Sequence, residues 1–199
     1  MKKELLIALR MTAVTLVLTG LAYPLLITGA AQVLFPHQAN GSLKHRDGKV
    51  VGSELIGQGF KTPAYFQGRP SAAGADGYDA TNSAGSNFGA TSQKLRDRIA
   101  ADLQRLRAEN PQATGPVPGE LVMASASGLD PHVSPEAARW QAPRVAAARH
   151  VALADVEKIV ERRIEGRTLG LLGEPRVNVL QLNLDLDDRF GRPAAAGGS

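Results

Sequence analysis

The feature that most constrains this chain is an uncharged stretch near its N-terminus. No Asp, Glu, Lys or Arg occurs from Met11 to Phe35, and the next residue of these types is Lys44. A bilayer core about 30 Å thick needs about 20 helical residues to cross it. The apolar region of a cleaved signal peptide, the alternative, is usually only about 7–15 residues long. The sequence therefore predicts an uncleaved transmembrane helix over residues 11–35.

The flanking charges predict an orientation for this helix. Three basic residues lie directly before it and only Glu4 opposes them, whereas the basic residues on the other side begin at Lys44. Positive residues close to a span favour the cytoplasmic side. We therefore expect residues 1–10 to be a short cytoplasmic N-terminus and residues 36–190 to form one domain outside the cytoplasm.

Small residues follow one side of the predicted helix. Thr12, Thr15, Thr19 and Ala22 are spaced by three and four positions, which brings them to one face. Small faces let a neighbouring helix approach closely, and threonine hydroxyls can bond across such a contact. Pro24 predicts a kink further along. These five residues are candidate contacts with a partner in the membrane, the alternative being a plain lipid-facing anchor.

Composition excludes several classes of function. The chain has no cysteine, which removes disulfides, thiolate catalysis and thiolate metal sites. Its formal net charge of +4 comes from basic and acidic residues scattered along the chain, so no stripe for nucleic acid is present. We do not expect it to bind nucleic acid.

The residues after the helix predict a small α+β domain with short antiparallel strands and three or four helices. Periodic apolar residues predict helices over 95–106, with Thr91 or Ser92 as the cap, and over 153–164. The segment Ser134-Pro135-Glu136 has the chemistry of a helix start, and Pro143 is expected to interrupt that helix.

Three segments predict extended structure, and two others predict no regular secondary structure. Residues 49–60 predict extended structure broken by glycines, and residues 120–124 are a short strand candidate. Leucine alternates with polar residues over 180–187, which predicts a half-buried strand with its acidic face in water. Residues 62–92 are rich in small and polar residues, so they predict a functional loop or disorder, with four aromatic side chains favouring a pinned loop. The glycine-rich tail, residues 191–199, is expected to be disordered.

A cluster of polar residues offers a catalytic interpretation. Ser125, Ser127, Asp130 and His132 lie within eight residues of each other. A catalytic triad needs a base beside the nucleophile and an orienting group on the far side of that base. Residues in one turn rarely reach that geometry, so turn hydrogen bonding is the favoured interpretation. A membrane-anchored hydrolase that uses Ser127 and His132 remains the alternative.

Other chemistry is less well supported. His37 and His45 have no third ligand at a spacing that closes a metal site. The glycines of 166–173 lack the spacing of either phosphate-binding motif. Asp187 and Asp188 are expected to be solvated. We therefore expect no catalytic residue, no metal and no bound cofactor in this chain.

Short motifs occur in a fixed order along most of the chain. Those of the membrane helix and the segment after it are Tyr23-Pro24-Leu25, Thr28-Gly29, Phe35-Pro36, Gln38–Ser42, Gly52-Ser53, Leu55–Gln58, Tyr65-Phe66, Gly68–Ala72 and Gly85-Ser86-Asn87. Those of the remaining chain are Ser125–His132, Arg144-Val145-Ala146, Ala148-Arg149, Gly173–Leu180 and Leu182-Asn183. The ordered set resembles the C subunit, KdpC, of the bacterial Kdp potassium-transporting P-type ATPase.

The resemblance implies an accessory subunit of a high-affinity, ATP-driven potassium uptake complex in the bacterial inner membrane. Its implied partners are a channel-like potassium-selective subunit and a P-type ATPase subunit, which handle potassium and ATP. The C subunit is implied to be required for assembly and to act as a catalytic chaperone that raises the affinity of the ATPase subunit for ATP. With its domain outside the cytoplasm, that effect would be indirect. An adaptor unrelated to potassium transport is a further alternative.

Two segments of the domain are candidate partner contacts or linings of an ion entrance. They are Gln67–Ala72 and Ser83–Asn87, and ordinary tight turns are the alternative interpretation. The individual candidates in the domain are Gln58, Arg69, Ser71, Ser86 and Asn87.

Overall fold

In the computed structural model, which describes residues 1–193, the chain divides into a unit of Met1–Val51 and a unit that begins at Gly52. The tail prediction for residues 191–199 therefore lies largely outside the described residues.

The first unit is dominated by one long apolar helix. Helix α1 (Lys2–Val17), a π-helical turn (Leu18–Ala22) and helix α2 (Tyr23–Leu34) follow one another without a break. Together they make 33 helical residues. The most apolar window of this helix has a mean hydropathy of 2.0, and none of its residues is buried. The helix is long and apolar enough to cross a membrane, although it begins well before residue 11. The π turn directly precedes Pro24, where the missing proline N–H disturbs the regular hydrogen bonding.

A short helix and a hairpin follow the long helix. Helix α3 (Pro36–Ala39) is followed by strands β1 (Leu43–Arg46) and β2 (Lys49–Ser53), which pair in a two-stranded sheet. The two residues between the strands, Asp47 and Gly48, have φ of 53° and 73°. Two residues with positive φ give a turn whose twist matches that of the strands, so this Asp-Gly pair closes a hairpin.

The second unit combines four helices and a small sheet. Helix α4 (Gln93–Glu109) precedes a 3₁₀ turn (Gly119–Leu121), and helices α5 (Pro135–Arg149) and α6 (Leu153–Arg162) follow. Strands β3 (His132–Val133), β4 (Ile164–Glu165) and β5 (Arg176–Asn178) form an antiparallel sheet in the order β3-β5-β4. Helix α7 (Val179–Phe190) begins where β5 ends. The α+β prediction is confirmed.

The core of the second unit surrounds helix α5, which packs against α6 and contributes eight buried residues. Its fully buried large apolar side chains come from a loop, from the sheet and from three helices, and they are Phe66, Val133, Val145, Val156, Ile159, Val160, Val177, Leu182 and Leu186.

The predicted helix caps are confirmed. The hydroxyl of Ser92 accepts a hydrogen bond from the N–H of Leu95 at 3.4 Å, and that of Ser134 accepts one from Ala137 at 3.1 Å. Each bond satisfies a backbone donor that the first helical turn leaves unpaired.

The strand predicted over 180–187 is wrong, because these residues form helix α7. Asn178 caps the helix by accepting from the N–H of Gln181 at 3.1 Å. Val179, Leu182, Asn183 and Leu186 are buried with helical spacing, and leucine favours a helix more than a strand. The acidic residues do not all face water either, since the Asp187 side chain is only 7% exposed.

Four smaller predictions also need correction. Residues 120–124 form no strand, and the 3₁₀ turn lies there instead. Pro143 lies inside α5 without ending it, because most of that helix is buried by tertiary packing. Helix α6 ends at Arg162, so that Ile164 belongs to β4, and of the extended segment 49–60 only the part within β2 is a strand.

Candidate partner-contact site

The segment 63–69 has no regular structure, but side chains from α5 and α7 bond its backbone. Asn183 accepts from the N–H of Phe66 at 2.9 Å and donates to its carbonyl at 2.9 Å. Gln141 accepts from the N–H of Gln67 at 2.9 Å and donates to its carbonyl at 3.1 Å. A side-chain amide has both a donor and an acceptor, so each amide pairs this segment as a neighbouring strand would. We call residues 63–69 the clamped segment.

Arg144 of α5 extends this pairing. Its guanidinium donates to the carbonyl of Pro63 at 2.9 Å, to Oε1 of Gln141 at 2.8 Å and to Oδ1 of Asn110 at 2.9 Å. Burial lowers the pKa of Arg144 to about 10. The arginine therefore joins the clamped segment to the end of α4 within the folded unit.

A second arginine of α5 joins the clamped segment to α7. Arg149 donates to the carbonyl of Ala64 at 2.7 Å and to Oδ1 of Asp187 at 2.7 Å, and its guanidinium lies 4.9 Å from the ring centre of Tyr65. The hydroxyl of Tyr65 donates to Oδ2 of the same aspartate at 2.9 Å. Asp187 is thus a structural anchor, and the prediction that it is solvated is wrong, while Asp188 is exposed.

Arg69, at the end of the clamped segment, reaches the loop before β3. Its Nη1 donates to Oδ2 of Asp130 at 3.1 Å, and its Nη2 lies 3.5 Å from the carbonyls of Met123 and Ala124. Burial alone would raise the pKa of Asp130, but hydrogen bonds from His132 and Arg69 outweigh it and lower that pKa. The Nε of Arg69 is buried without a partner among residues 1–193.

Ser71 and Tyr78 fold the next segment onto the same loop. The hydroxyl of Ser71 donates to the carbonyl of Gly128 at 2.6 Å and accepts from the N–H of Tyr78 at 2.7 Å. The hydroxyl of Tyr78 donates to the carbonyl of Arg69 at 2.6 Å. Burial, followed by the charge of Asp130, raises the pKa of Tyr78 to about 12.

The second candidate segment, Ser83–Asn87, lies against residues 126–128. The hydroxyl of Ser83 donates to the carbonyl of Ser127 at 2.9 Å. A Cβ on Gly85 would come within 2.9 Å of the carbonyl of Ala126, so only glycine allows this approach. Ser86 is half-buried, whereas Asn87 is exposed and has φ of 52°, a region that asparagine tolerates.

Gln58 lies beside these segments. The adjacent Gly57 donates its N–H to the carbonyl of Leu129 at 2.8 Å, and a Cβ on Gly57 would come within 2.5 Å of the carbonyl of Asp130. The structure thus brings Gln58, Arg69 and Ser71 to the loop before β3, while Ser86 and Asn87 follow the segment that packs on residues 126–128.

The serines considered for a hydrolase form hydrogen bonds within the loop before β3. The hydroxyls of Ser125 and Ser127 are 3.4 Å apart, and that of Ser127 accepts from the N–H of Leu129 at 3.1 Å. Asp130 accepts from the N–H of His132 at 3.0 Å. Within the described chain no hydrogen bond joins either serine to the histidine ring, so the arrangement does not provide an activated nucleophile.

The histidines considered for a metal site lie in different elements, His37 in α3 and His45 in β1. Residues 1–193 hold no group of three or more His, Asp or Glu side chains that could bind a metal ion.

The candidate face in the first unit begins on α1 and ends in the π turn. The hydroxyl of Thr19 donates to the backbone carbonyl of Thr15 at 2.8 Å. The four-residue spacing places the two side chains one turn apart on the same side. Ala22 closes the π turn, which takes more residues per turn than an α-helix, so Ala22 deviates from the face extrapolated from Thr12.

Sequence reasoning missed the residues that hold the clamped segment. Arg144, Arg149 and Asn183 occur in the ordered motifs. The motifs marked these residues but did not indicate what they contact. Gln141 carried no such signal. Its role depends on a contact 74 positions away in sequence, which no local pattern records.

The profile of the family described as "KdpC: K+-transporting ATPase, c chain" matches residues 5–188. Proteins named "Potassium-transporting ATPase KdpC subunit" are similar over nearly the whole chain. That of Myxococcus xanthus is 66% identical over 195 residues, which are 97% of this chain and 92% of the relative. That of Methylobacterium nodulans is 56% identical over 186 residues, 88% of this chain and 92% of the relative. That of Koribacter versatilis is 54% identical over 188 residues, 94% of this chain and 95% of the relative.

Proposed function

The chain belongs to the KdpC family, the c chains of the K+-transporting ATPase, and from this premise we propose how it performs its accessory role in potassium transport. Its long helix holds it in the bacterial inner membrane beside a channel-like, potassium-selective subunit. Its second unit lies outside the cytoplasm over the entrance of that subunit. The chain supports assembly of the complex and raises the ATP affinity of the P-type ATPase subunit.

The observation that carries the proposal is the exposed apolar helix. The helix has 33 residues, and its most apolar window has a mean hydropathy of 2.0. No residue of that window is buried against the rest of the chain. Apolar surface of this extent needs lipid or another protein to cover it. The threonines at 12, 15 and 19 make close approach of a partner helix favourable on one side.

The proposed effect on ATP affinity is indirect. The basic residues before the helix favour a cytoplasmic N-terminus, and this orientation separates the second unit from cytoplasmic nucleotide by the membrane. A chain in that position changes ATP affinity only by favouring one conformation of its partner.

In the second unit we propose that Arg69, Ser71 and Gln58 contact the partner directly, together with Ser86 and Asn87. Arg69 supports this proposal because its side chain stays 27% exposed although its Nη1 already pairs with Asp130. A carbonyl or carboxylate of the partner would accept a hydrogen bond from the exposed part of this guanidinium.

The test of the membrane contact is the pair of changes Thr15→Leu and Thr19→Leu in the full chain, expressed with its partner subunits. A larger side chain on the face separates the helices, so we expect weaker co-purification of the partners and less potassium-stimulated ATPase activity. The matched control is Val17→Leu, which enlarges a side chain on the opposite side of α1. Normal assembly and transport in the double variant would disprove the packing face.

The same preparations test the ATP effect. We expect the ATPase activity of complexes that contain the chain to be half-saturated at lower ATP concentration than that of complexes without it. Equal half-saturation in both would contradict the chaperone role while leaving the assembly role intact. Labelling of Lys158, which is 74% exposed, by an impermeant reagent from the cytoplasmic side alone would contradict the orientation.

A further inference from the structure

The loop between β4 and β5 carries the most exposed leucines of the described second unit. Leu169 is 88% exposed, Leu171 81% and Leu172 64%. They lie within four residues, so they form one apolar tip. We call residues 166–174 the leucine hairpin.

The leucine hairpin is ordered by its own hydrogen bonds and charges. The N–H of Thr168 donates to the carbonyl of Leu172 at 2.8 Å, and the N–H of Leu172 donates back at 3.0 Å. Below this pair, Arg167 and Glu174 form an ion pair at 2.8 Å. The strands that lead into the hairpin pair Glu165 with Arg176. The tip therefore has a defined shape before it meets any partner, which lowers the entropic cost of binding.

Leu169 has a backbone conformation that is unfavourable for leucine. Its φ is 55°, the left-handed region, which glycine and asparagine adopt far more readily than leucine. The next residue, Gly170, has φ of 74°, so the two residues close the tip as the Asp47-Gly48 pair closes the first hairpin. The turn therefore explains the conformation but not the choice of leucine, since glycine or asparagine would fit this position with less strain.

We propose that the leucine hairpin inserts into an apolar socket on a protein subunit of the transport complex. The inference rests on the proposed function, because it takes the partner from the same assembly. It adds a third contact surface, separate from the helix face and from the residues around Arg69.

The charges of the stem favour a protein socket over a lipid surface. Arg167 pairs with Glu174, and Arg176 pairs with Glu165 at 3.0 Å, so the stem offers two acids for two bases. Binding to an anionic bilayer surface gains from an excess of Lys and Arg, and interfacial anchors are enriched in Trp and Tyr. The stem has no such excess, and residues 166–174 include no aromatic side chain.

The first test compares Leu169→Asn with the wild-type chain in the assembled complex. Asparagine fits the positive φ, so the isolated full chain should unfold at the same or a higher denaturant concentration. Burial of a leucine corresponds to about tenfold to a hundredfold in affinity, so we expect the partners to dissociate at least about tenfold faster. Leu153→Asn, at the first position of α6, is the matched control and should leave dissociation unchanged.

Two results would overturn the proposal. If Leu169→Asn destabilises the isolated chain and leaves dissociation of the complex unchanged, the leucine has a structural role only. If the wild-type chain assembles and a Leu169→Asn, Leu171→Ser double variant assembles equally tightly, the hairpin is not a contact. Failure of the wild-type chain to associate with any Kdp subunit would instead reject the proposed function.

The second test identifies the occupant. Because the chain has no cysteine, Leu169→Cys introduces a unique thiol. We expect a small maleimide to label it readily in the chain reconstituted alone in vesicles and at least about tenfold more slowly in the complex. Equal protection in vesicles of the chain alone would reject the partner socket in favour of lipid or a second copy. Equal labelling in both samples would show that nothing covers the tip.

Discussion

The clamped segment and the leucine hairpin are both non-helical connections, yet their backbones and side chains make opposite kinds of contact. In the clamped segment, polar side chains of α5 and α7 bond the backbone, and Phe66 is fully buried. In the leucine hairpin, the backbone bonds itself and the apolar side chains point outward. Up to Arg69 at its end, the first connection is held within the unit, whereas the tip of the second is available to another molecule.

The difference shows which loop residues stabilise the fold. A buried backbone group that loses its partner costs about 1–3 kcal/mol, because water cannot replace the lost hydrogen bond. An exposed group finds water instead. Substitutions around the clamped segment should therefore destabilise the unit, and those in the leucine hairpin should leave its stability almost unchanged.

The largest expected effect is that of Arg144→Met. The change leaves the carbonyl of Pro63 and Oδ1 of Asn110 without their donor, so we expect the free energy of unfolding to fall by about 3–5 kcal/mol. Fluorescence of Trp140, the single tryptophan, in a urea titration of the full chain in detergent measures it. Arg139→Met on the same helix is the control. Its pair with Glu161 is half-exposed, so a loss below about 1 kcal/mol is expected. Equal losses in the two variants would contradict the clamp.

Asn183→Leu should have the next largest effect. Both backbone groups of Phe66 lose their partner while the volume of the side chain is nearly kept, so we expect a loss of about 2–4 kcal/mol. The same titration measures it. A stable Asn183→Leu variant would mean that the backbone of Phe66 finds other partners, and the comparison between the two connections would weaken.

Two glycines compare the leucine hairpin with the segment that precedes the clamped segment and packs on the loop before β3. A Cβ on Gly57 would lie 2.5 Å from the carbonyl of Asp130, whereas a Cβ on Gly166, in the leucine hairpin, meets nothing within 4 Å. Gly57→Ala should therefore cost about 1–3 kcal/mol through overpacking, and Gly166→Ala should be nearly neutral. Urea titration of both variants is the measurement, and a neutral Gly57→Ala would show that the loop before β3 can move aside.

The sequence predicted the parts of the molecule that depend on neighbouring residues. The apolar helix, the caps at Ser92 and Ser134 and the α+β class follow from local patterns. Helix α7 was mistaken for a strand because four leucines alternate with polar residues, and only packing reveals that some of those polar residues are buried.

The candidate site was predictable in outline only. The motifs around Arg69 and Ser71 marked a segment that the structure does bring to the loop before β3. The hydrogen bonds of Gln141 and Asn183 could not be predicted from local patterns, because they join residues 74 and 117 positions apart in the sequence.

Tyr78 gives the smallest expected effect, and it tests whether the clamped segment is protected from solvent. Its hydroxyl donates to the carbonyl of Arg69, so Tyr78→Phe should lower the free energy of unfolding by about 1 kcal/mol near pH 8. Burial raises the pKa of Tyr78 to about 12 in the folded chain, whereas an unfolded tyrosine loses its proton near pH 10. Folding thus favours the protonated form.

The resulting stabilisation is complete below about pH 10 and is lost as the pH rises toward 12. Urea titrations should therefore show the wild-type chain losing its advantage over Tyr78→Phe across that range, since phenylalanine does not titrate. Arg144, whose pKa is lowered to about 10, titrates in both variants, so its contribution cancels in the difference. A difference between the two chains that stays constant from pH 8 to pH 12 would mean that the Tyr78 hydroxyl reaches water in the folded unit, and that this end of the clamped segment is as open as the leucine hairpin.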